Sequence, residues 1–515
     1  MSENILPANT LFEAFLVTAN RDPGGIAWLA ANPNETQPEW TWSELRDGVR
    51  MAVAYLYRHG VRSGDRVANL GRNSAQWAIL DLACSAIGAI HAPIDVRYPI
   101  AWITECLTSL DASMVFGDRS PPNDQDIDIS TPFPKCIPLA SLCERLPTPG
   151  ASSISKYRNE MDANDPACIL FTSGTTQRPR GVLLSHRNLL SNGLAKLDAM
   201  PQAPNDIRLN LLPFAHAYAR TCELTTWILA GGTMACAYGI QSALAQSSTL
   251  RPQLINGVPL FYEDLRQNER ARDILQGSIR RFASGGAPLK TETRSWFQQL
   301  GFPVFQGYGL TETSPVVCSN RDSSANEAPI LDGVGPAVEG VQTKIDSQRR
   351  LWVTGNGVML GYWRDPSATS LKIVDGWLDT GDLASSHSQW GRAVISIEGR
   401  TDDLQVLASG YKFSPRPLEL RLISEIDAIQ NCVLVGTARH RPLLAVQLAP
   451  GFEDSLGDEI LGRAREVLYD IEEHARPAAV WIEPRMWSVE NGCLHWKGGV
   501  NRQGVTRRIE ASGSA

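Results

Sequence analysis

Apolar positions recur along this chain with two alternating periods. "TWSELRDGVRMAVAYLYRHG" (41–60) spaces them every three to four residues, with Thr41 placed as a helix N-cap and Gly60 as a stop. "GDRVANLG" then reads as a short strand, "NSAQWAILDLACSAIGA" as a second helix, and "IHAPI" as a strand after a turn near Gly88. "DPACILFTSG" (165–174) predicts a strand running into a glycine loop, with "SHRNLLSNGLAKLDAM" as the helix beyond it. "QLINGVPLFYEDLRQN" and "FASGGAPLKTETRSWFQQLG" repeat the strand–loop–helix theme. No short-period internal repeat is visible. This alternation predicts an α/β fold.

From about Asp332 the glycines multiply and the apolar runs shorten, in "GVGPAVEGVQTKI", "RRLWVTG", "GWLDTGDLA" and "AVISIEGR". That texture predicts a small β-rich part. A further α/β stretch follows, with "SPRPLELRLISEI" helical, "NCVLVGT" and "LLAVQLAP" as strands, and "DEILGRAREVLYDIEEHA" as an amphipathic helix. The polar run E-G-R-T-D-D between two apolar strands suits an exposed hinge, so a boundary is expected at Gly399–Asp403, dividing the chain into 1–398 and 399–515.

Composition narrows the classes. The chain has 515 residues, long enough for more than one domain. A formal charge of −7 argues against a general nucleic-acid binder. The basic stretches "RQNERAR" (266–272) and "RQGVTRR" (502–508) read as solvated surface. The most apolar run, Trp77 to Ile94, is interrupted by Asp81 and falls short of the roughly 18 to 20 residues of a spanning helix. No signal peptide is read at the N-terminus. Ten scattered cysteines without a C-x-x-C pair fit a cytoplasmic location, and the eight histidines form no zinc motif.

The candidate chemistry lies in loops. "TSGTTQRPRG" (172–181) places hydroxyls and glycines after a strand and before a helix, where backbone N–H groups can meet an anion. It lacks the GK[ST] of a P-loop, which disfavours a P-loop ATPase. "FQGYGLTETSP" (305–315) offers Glu312 as a hard oxygen ligand for Mg2+ and Tyr308 as a flat face for a purine. "GWLDTGDLA" supplies Asp379 and Asp382 as acceptors for ribose hydroxyls, and Arg400 adds a guanidinium at the hinge.

In order and wording these segments resemble the adenylate-forming superfamily of acyl-CoA synthetases, luciferases and peptide-synthetase adenylation domains, over nearly the whole chain. The resemblance implies a large N-terminal domain of two α/β subdomains plus a β-barrel-like part, and a small mobile α+β C-terminal lid. It implies MgATP-dependent conversion of a carboxylate to acyl-AMP, then transfer to a thiol, usually that of coenzyme A. Thr172, Ser173, Gly174, Thr175 and Thr176 would cradle the phosphates with Arg180, and Thr176 would join Glu312 at the metal. Gly307 and Tyr308 would hold adenine, Thr311 phosphate, and Asp382 and Arg400 the ribose. Asp402 matches the family's hinge, and Gly410 its thioester-forming loop. "LNLLPFAHAYARTCEL" (209–224) is most similar to long-chain acyl-CoA synthetases, with their LP-x-x-H-x-x-x-R run. His216 would then sit beside the acyl carboxylate. Phe214, Ala217, Tyr218, Gly285, Gly286 and Ala287 would line the acyl pocket. A medium- or long-chain fatty acid is the implied substrate, with peripheral membrane contact open and a carrier-protein thiol as the alternative acceptor.

Three positions depart from the family pattern. Gln177 replaces a glycine and Arg180 a lysine in the phosphate loop; an arginine fork is not a point charge. In "CLHWKGGVNR" (493–502), Gly499 occupies the place of the family's catalytic lysine, and Lys497 lies two residues earlier. Either Lys497 supplies the ammonium, or the chain is a nucleotide-binding pseudoenzyme with weakened adenylation.

Overall fold

The computed structural model describes residues 8–30, 39–117, 136–142, 161–172, 179–269, 278–322, 328–436, 439–453, 456–483, 485–488, 490–494 and 500–513. The chain divides into two compact units. One comprises Met1–Lys344, Trp352–Asp379 and Ser386–Ile395; the other comprises Ile345–Leu351, Thr380–Ser385 and Ser396–Ala515.

Two sheets organise the first unit, each with a parallel centre. The first runs in the order Gly361–Tyr362, Arg180–Ser185, Pro166–Thr172, Ile90–Pro93, Arg66–Leu70, Met114–Gly117. Its last four strands are mutually parallel, in registers such as Val67↔His91 and Val67↔Met114. The second has eight strands, in the order Val316–Ser319, Val304–Gly309, Arg281–Ser284, Leu254–Gly257, Ile207–Asn210, Thr233–Cys236, Ile26–Leu29, Glu39–Thr41, antiparallel only at its two edges.

The helices form where the apolar period and the caps agree. Helix Trp42–Arg58 starts at a reciprocal capping box: the Glu44 N–H donates to Thr41 Oγ1 (3.2 Å) and the Thr41 N–H to Glu44 Oε2 (2.8 Å). Helix Ala75–Ile87 is capped by Ser74 and ends at Gly88, whose φ of 73° is the left-handed turn expected there. This helix is buried on all sides, which accounts for the long apolar run. Side chains of both sheets (Val67, Leu170, Met234, Cys236) join the helices in one hydrophobic cluster. At its heart Trp42 stacks on Trp227 at 4.8 Å, with Trp28 edge-on to Trp227 at 5.9 Å.

Asp81, the interruption in that run, is buried with its counter-charges. Arg220, fully buried, donates to both of its carboxylate oxygens (3.0 and 2.9 Å). His91 Nδ1 lies 2.8 Å from Asp81 Oδ1. Burial opposes the Asp81 charge, but Arg220 and His91 outweigh it and hold the carboxyl below its usual range. Burial lowers the His91 pKa, so the ring is neutral, donates through Nδ1 and accepts from Asn69 Nδ2 through Nε2 (3.2 Å). Among the described residues no helix is long and apolar enough to cross a membrane.

The glycine-rich stretch after Asp332 is strand-rich as expected, with Gly335–Pro336, Val341–Ile345, Arg350–Gly355, Trp377–Gln389 and Arg392–Arg400. In the second unit the order Ile429–Val435, Leu443–Leu448, Ala479–Ile482 forms a three-stranded sheet. Helices Pro415–Glu425, Gly457–Val467 and Arg502–Ala511 complete an α+β unit. The expected surface stretch at 502–508 is partly anchored instead. Arg502 donates to both Glu419 oxygens (2.6 and 2.9 Å) and to the Leu434 carbonyl (2.9 Å), and Arg508 clasps Glu483 (2.5 and 2.8 Å). Their carboxylate partners lie far away in sequence, so the charge run alone reads as solvated.

Candidate active site

Thr172 and Arg180 stand directly opposite each other across an antiparallel pair, Pro166–Thr172 with Arg180–Ser185. This corrects the expected strand–loop–helix order. A second strand intervenes, because Val182 and Leu184 bury into the core, and the helix begins only at His186. The motif's two flanks are thus paired strands, and no helix N-terminus directly follows it. Ser173, Gly174, Thr175, Thr176 and Gln177 lie outside the described residues, as do Lys497 and Gly499.

Tyr362 ties this hairpin to the second motif. Its strand pairs with the Arg180 strand (Tyr362↔Val182), and its hydroxyl donates to Glu312 Oε1 at 2.8 Å. The Arg180 guanidinium lies 5.6 Å from the Tyr362 ring centroid, within cation–π range. Burial and the neighbouring Glu312 push the Tyr362 phenol up, so it stays protonated as a donor. Glu312 thus keeps a fixed orientation, reinforced by the Met359 N–H donating to its carbonyl (2.9 Å). Among the described residues no cluster of three or more His, Cys, Asp or Glu could hold a metal. A solitary half-buried carboxylate fits Mg2+, which keeps its waters and bridges phosphates with one or two protein ligands, and does not fit a caged transition metal.

Gly307 and Tyr308 lie on strand Val304–Gly309, paired with Ser319 and Cys318 of the antiparallel edge strand. A Cβ on the next residue, Gly309, would come 1.5 Å from the Pro315 carbonyl oxygen, so only glycine fits where the chain folds back on itself. Thr311 and Glu312 open the short turn that follows, both half-buried.

In the second unit Arg400 NH1 donates to Asp382 Oδ1 at 2.9 Å. The two proposed ribose-binding residues are therefore neighbours. Asp382 is held from behind by its own N–H on Thr380 Oγ1 (3.0 Å), which in turn donates to the Leu351 carbonyl (2.7 Å). Asp402 is exposed, 3.6 Å from Arg400, and Gly410 turns the hairpin of Gln405–Val406 and Lys412–Phe413 with φ of 82°.

Four of the residues expected on the acyl side, Phe214, His216, Ala217 and Tyr218, lie in the turn Leu212–Arg220. Asn73 pins its start, donating to the Leu212 carbonyl (2.7 Å) and accepting from the Phe214 N–H (2.9 Å). Arg220, locked on Asp81, pins its end and opens a π-helical turn, Arg220–Thr225. His216 is held between them, its Nε2 2.8 Å from Asp95 Oδ2. Phe214 is fully buried 5.1 Å from Trp77 and 6.1 Å from Trp28, the surroundings of a core side chain. Ala217 is buried, and the Tyr218 ring lies flat enough on Gly285 that a Cβ there would meet it at 3.0 Å. Gly286 and Ala287 are exposed.

A family model described as AMP-binding enzyme matches residues 15–363, and one described as AMP-binding enzyme C-terminal domain matches residues 402–493. The chain belongs to the AMP-binding enzyme family. Long-chain-fatty-acid–CoA ligase FadD15 of Mycobacterium bovis is 26% identical over 461 residues, 78% of this chain and 75% of that protein. Feruloyl-CoA synthase of an Amycolatopsis species is 28% identical over 418 residues, 78% and 81% of the respective chains. The crystal structure of ATP-bound MatB from Rhodopseudomonas palustris superposes with a TM-score of 0.79 at 23% identity, covering 98% of this chain and 99% of that one, a likeness of fold. By class this AMP-binding enzyme is an acid–thiol ligase.

Sequence reading of this AMP-binding enzyme missed Tyr362 and Asp95. "GYWRDP" offered no signal of its own, since a tyrosine before a tryptophan reads as packing. "PIDVRYP" carries an aspartate and an arginine two residues apart after a strand, a pattern that usually marks a turn.

Proposed function

We propose that this enzyme activates a medium- or long-chain fatty acid. Its carboxylate attacks the α-phosphate of ATP to give acyl-AMP and pyrophosphate, and the thiol of coenzyme A then displaces AMP to give the thioester. The observation that carries the nucleotide half is the Arg180–Tyr362–Glu312 chain beside Thr172, which puts a guanidinium, two hydroxyls and a carboxylate at the root of one loop. Such groups catalyse by positioning and by neutralising phosphate charge. Glu312, with Thr176, would hold Mg2+, which when bound offsets the charge of the phosphate oxygens. Asp382 and Arg400 would hold the ribose, the Gly399–Asp403 segment would act as the hinge around Asp402, and the Gly410 hairpin would meet the pantetheine. Lys497 would supply the ammonium that the family pattern places at position 499.

The fatty-acid assignment is supported by the LP-x-x-H-x-x-x-R run and by the likeness to FadD15. A second reading, a compact aromatic acid, is favoured by the Tyr218 ring resting on Gly285, which narrows the space that the small residues would otherwise open. A panel of decanoate, palmitate, ferulate and malonate, scored for AMP release with and without coenzyme A, tests both. Highest turnover with decanoate or palmitate, dependent on coenzyme A, is expected. Ferulate as the best acid would replace the first reading with the second. Thioester formed only on a holo acyl-carrier protein would change the acceptor.

A further inference from the structure

We infer that helix His186–Ala199 positions the nucleotide site through a buried polar stripe, Asn188, Asn192 and Lys196, which sets the Glu312 turn. The inference rests on the nucleotide placement proposed above and adds these residues to it. They recur every four residues and so share one face of the helix. All three are buried, beside Leu189, Leu190 and Ala195. An apolar face would pack there without desolvating polar groups, so each member of the stripe needs partners. Their long-range partners lie in the segments around Glu312.

Asn192 grips the turn itself. Its Nδ2 donates to the Val316 carbonyl (2.8 Å) and the Thr313 carbonyl (3.3 Å), and its Oδ1 accepts the Val316 N–H (2.9 Å). Thr313 is the residue after Glu312, so this clamp closes the turn Thr311–Thr313 against the helix. Asn188 grips the neighbouring loop. Its Nδ2 donates to the Asn356 carbonyl (2.7 Å) and the Val358 carbonyl (2.9 Å), and its Oδ1 accepts the Ser185 N–H (2.9 Å). Just beyond, the Met359 N–H donates to the Glu312 carbonyl and the Tyr362 hydroxyl to Glu312 Oε1. Loop and turn meet at the stripe: a Cβ on Gly357 would come 2.8 Å from the Thr313 carbonyl oxygen and 3.1 Å from Asn192 Nδ2. Lys196 holds the far end, with Nζ 3.0 Å from Ser319 Oγ on the strand that pairs with Gly307 and Tyr308. The helix itself starts directly after the strand that carries Arg180. One helix thus ties Arg180 to Glu312, the two charged groups proposed to meet the phosphates and their Mg2+. Both asparagine amides spend both N–H donors on main-chain carbonyls, which suits them to hold the turn rather than to touch a substrate.

Asn188 and Asn192 are positioning residues on this account, acting through Glu312, and the readout is coupling to Glu312 rather than loss of stability. Asn188→Asp separates the two. Its carboxylate still accepts the Ser185 N–H in the first turn of a helix, where negative charge is favoured, but both donors to the loop are gone. Calorimetric titration of MgATP into the full-length enzyme, without acid, should show about five- to ten-fold weaker binding in Asn188→Asp, with little change in thermal midpoint. KM for the acid in pyrophosphate exchange should change much less. In a Glu312→Gln background the same substitution should cost little further affinity, because the group it positions is already lost. Asn192→Ala, read in the same way, is the second variant. A folded Asn188→Asp or Asn192→Ala enzyme that binds MgATP as the wild type does overturns the inference. So does an equal loss whether Glu312 is intact or replaced. Should neither variant fold, hydrogen exchange on the wild type decides: MgATP should slow exchange in 311–319 and 356–362, and unchanged exchange there overturns the inference. A wild type that binds no MgATP, or a Glu312→Gln enzyme that binds it unchanged, would instead bring down the nucleotide placement itself.

Discussion

Asp81 shows how one charge in an apolar helix is resolved only in three dimensions. Its partners, Arg220 and His91, arrive from 139 and 10 residues away. Removing Arg220 strands the carboxylate in the core, and breaking such a pair costs about 3–5 kcal/mol. Arg220→Ala is therefore expected to lower the urea midpoint sharply, and a shift equivalent to under about 1 kcal/mol would show that the pair is not what holds this turn. Glu223 makes a pH-dependent case. It is fully buried 3.2 Å from Arg208, and burial outweighs Arg208 and raises its pKa from 4.5 to about 7. The folded state then keeps a proton that the unfolded chain releases. The stabilising contribution is complete below pH 4.5 and is lost as pH climbs to about 7. Urea midpoints measured across that window should fall for the wild type and stay flatter for Glu223→Gln. Tyr362→Phe removes the hydroxyl that donates to Glu312 Oε1. KM for MgATP should rise about five- to ten-fold, with little change in KM for the acid; the reverse pattern would place Tyr362 on the acyl side.

At the level of elements, capping chemistry decided what was legible in the chain. Thr41 announces its helix because a short polar side chain before an apolar period has one good local use, and it does accept an N–H of the first turn; Ser74 and Ser185 cap their helices in the same way. Thr41→Ala should cost about 1 kcal/mol, read as a shift in the thermal midpoint, and no shift would mean that Glu44 carries the cap alone. The strand Arg180–Ser185 was hidden for the opposite reason. Its apolar run is short and abuts a true N-cap, so the sequence looks like one loop feeding one helix. Only pairing with the preceding strand separates them. The same limit concealed Asp95, whose meaning depends on a histidine more than a hundred residues away. The residues proposed for the nucleotide fall in ordered local motifs; those proposed for the acyl side are held by long-range contacts that no local pattern encodes.

For the molecule as a whole, the strand order of the eight-stranded sheet places the C-terminal ends Asn210, Gly257, Ser284 and Gly309 along one edge, where ligands of open α/β sheets gather. The residue proposed to complete the first half-reaction, Lys497, comes from the far end of the chain. Lys497→Ala should suppress acyl-AMP formation by about 10²–10³ while sparing thioester formation from preformed acyl-AMP, by analogy with loss of one oxyanion donor. The most direct measurement of the central claim is exchange of labelled pyrophosphate into ATP, with and without the best panel acid, in the wild type and in Glu312→Gln. Acid-dependent exchange in the wild type that collapses in the variant is the predicted result. Exchange indifferent to the acid, or undiminished by the substitution, would contradict a carboxylate-activating site built on Thr172, Arg180, Tyr362 and Glu312.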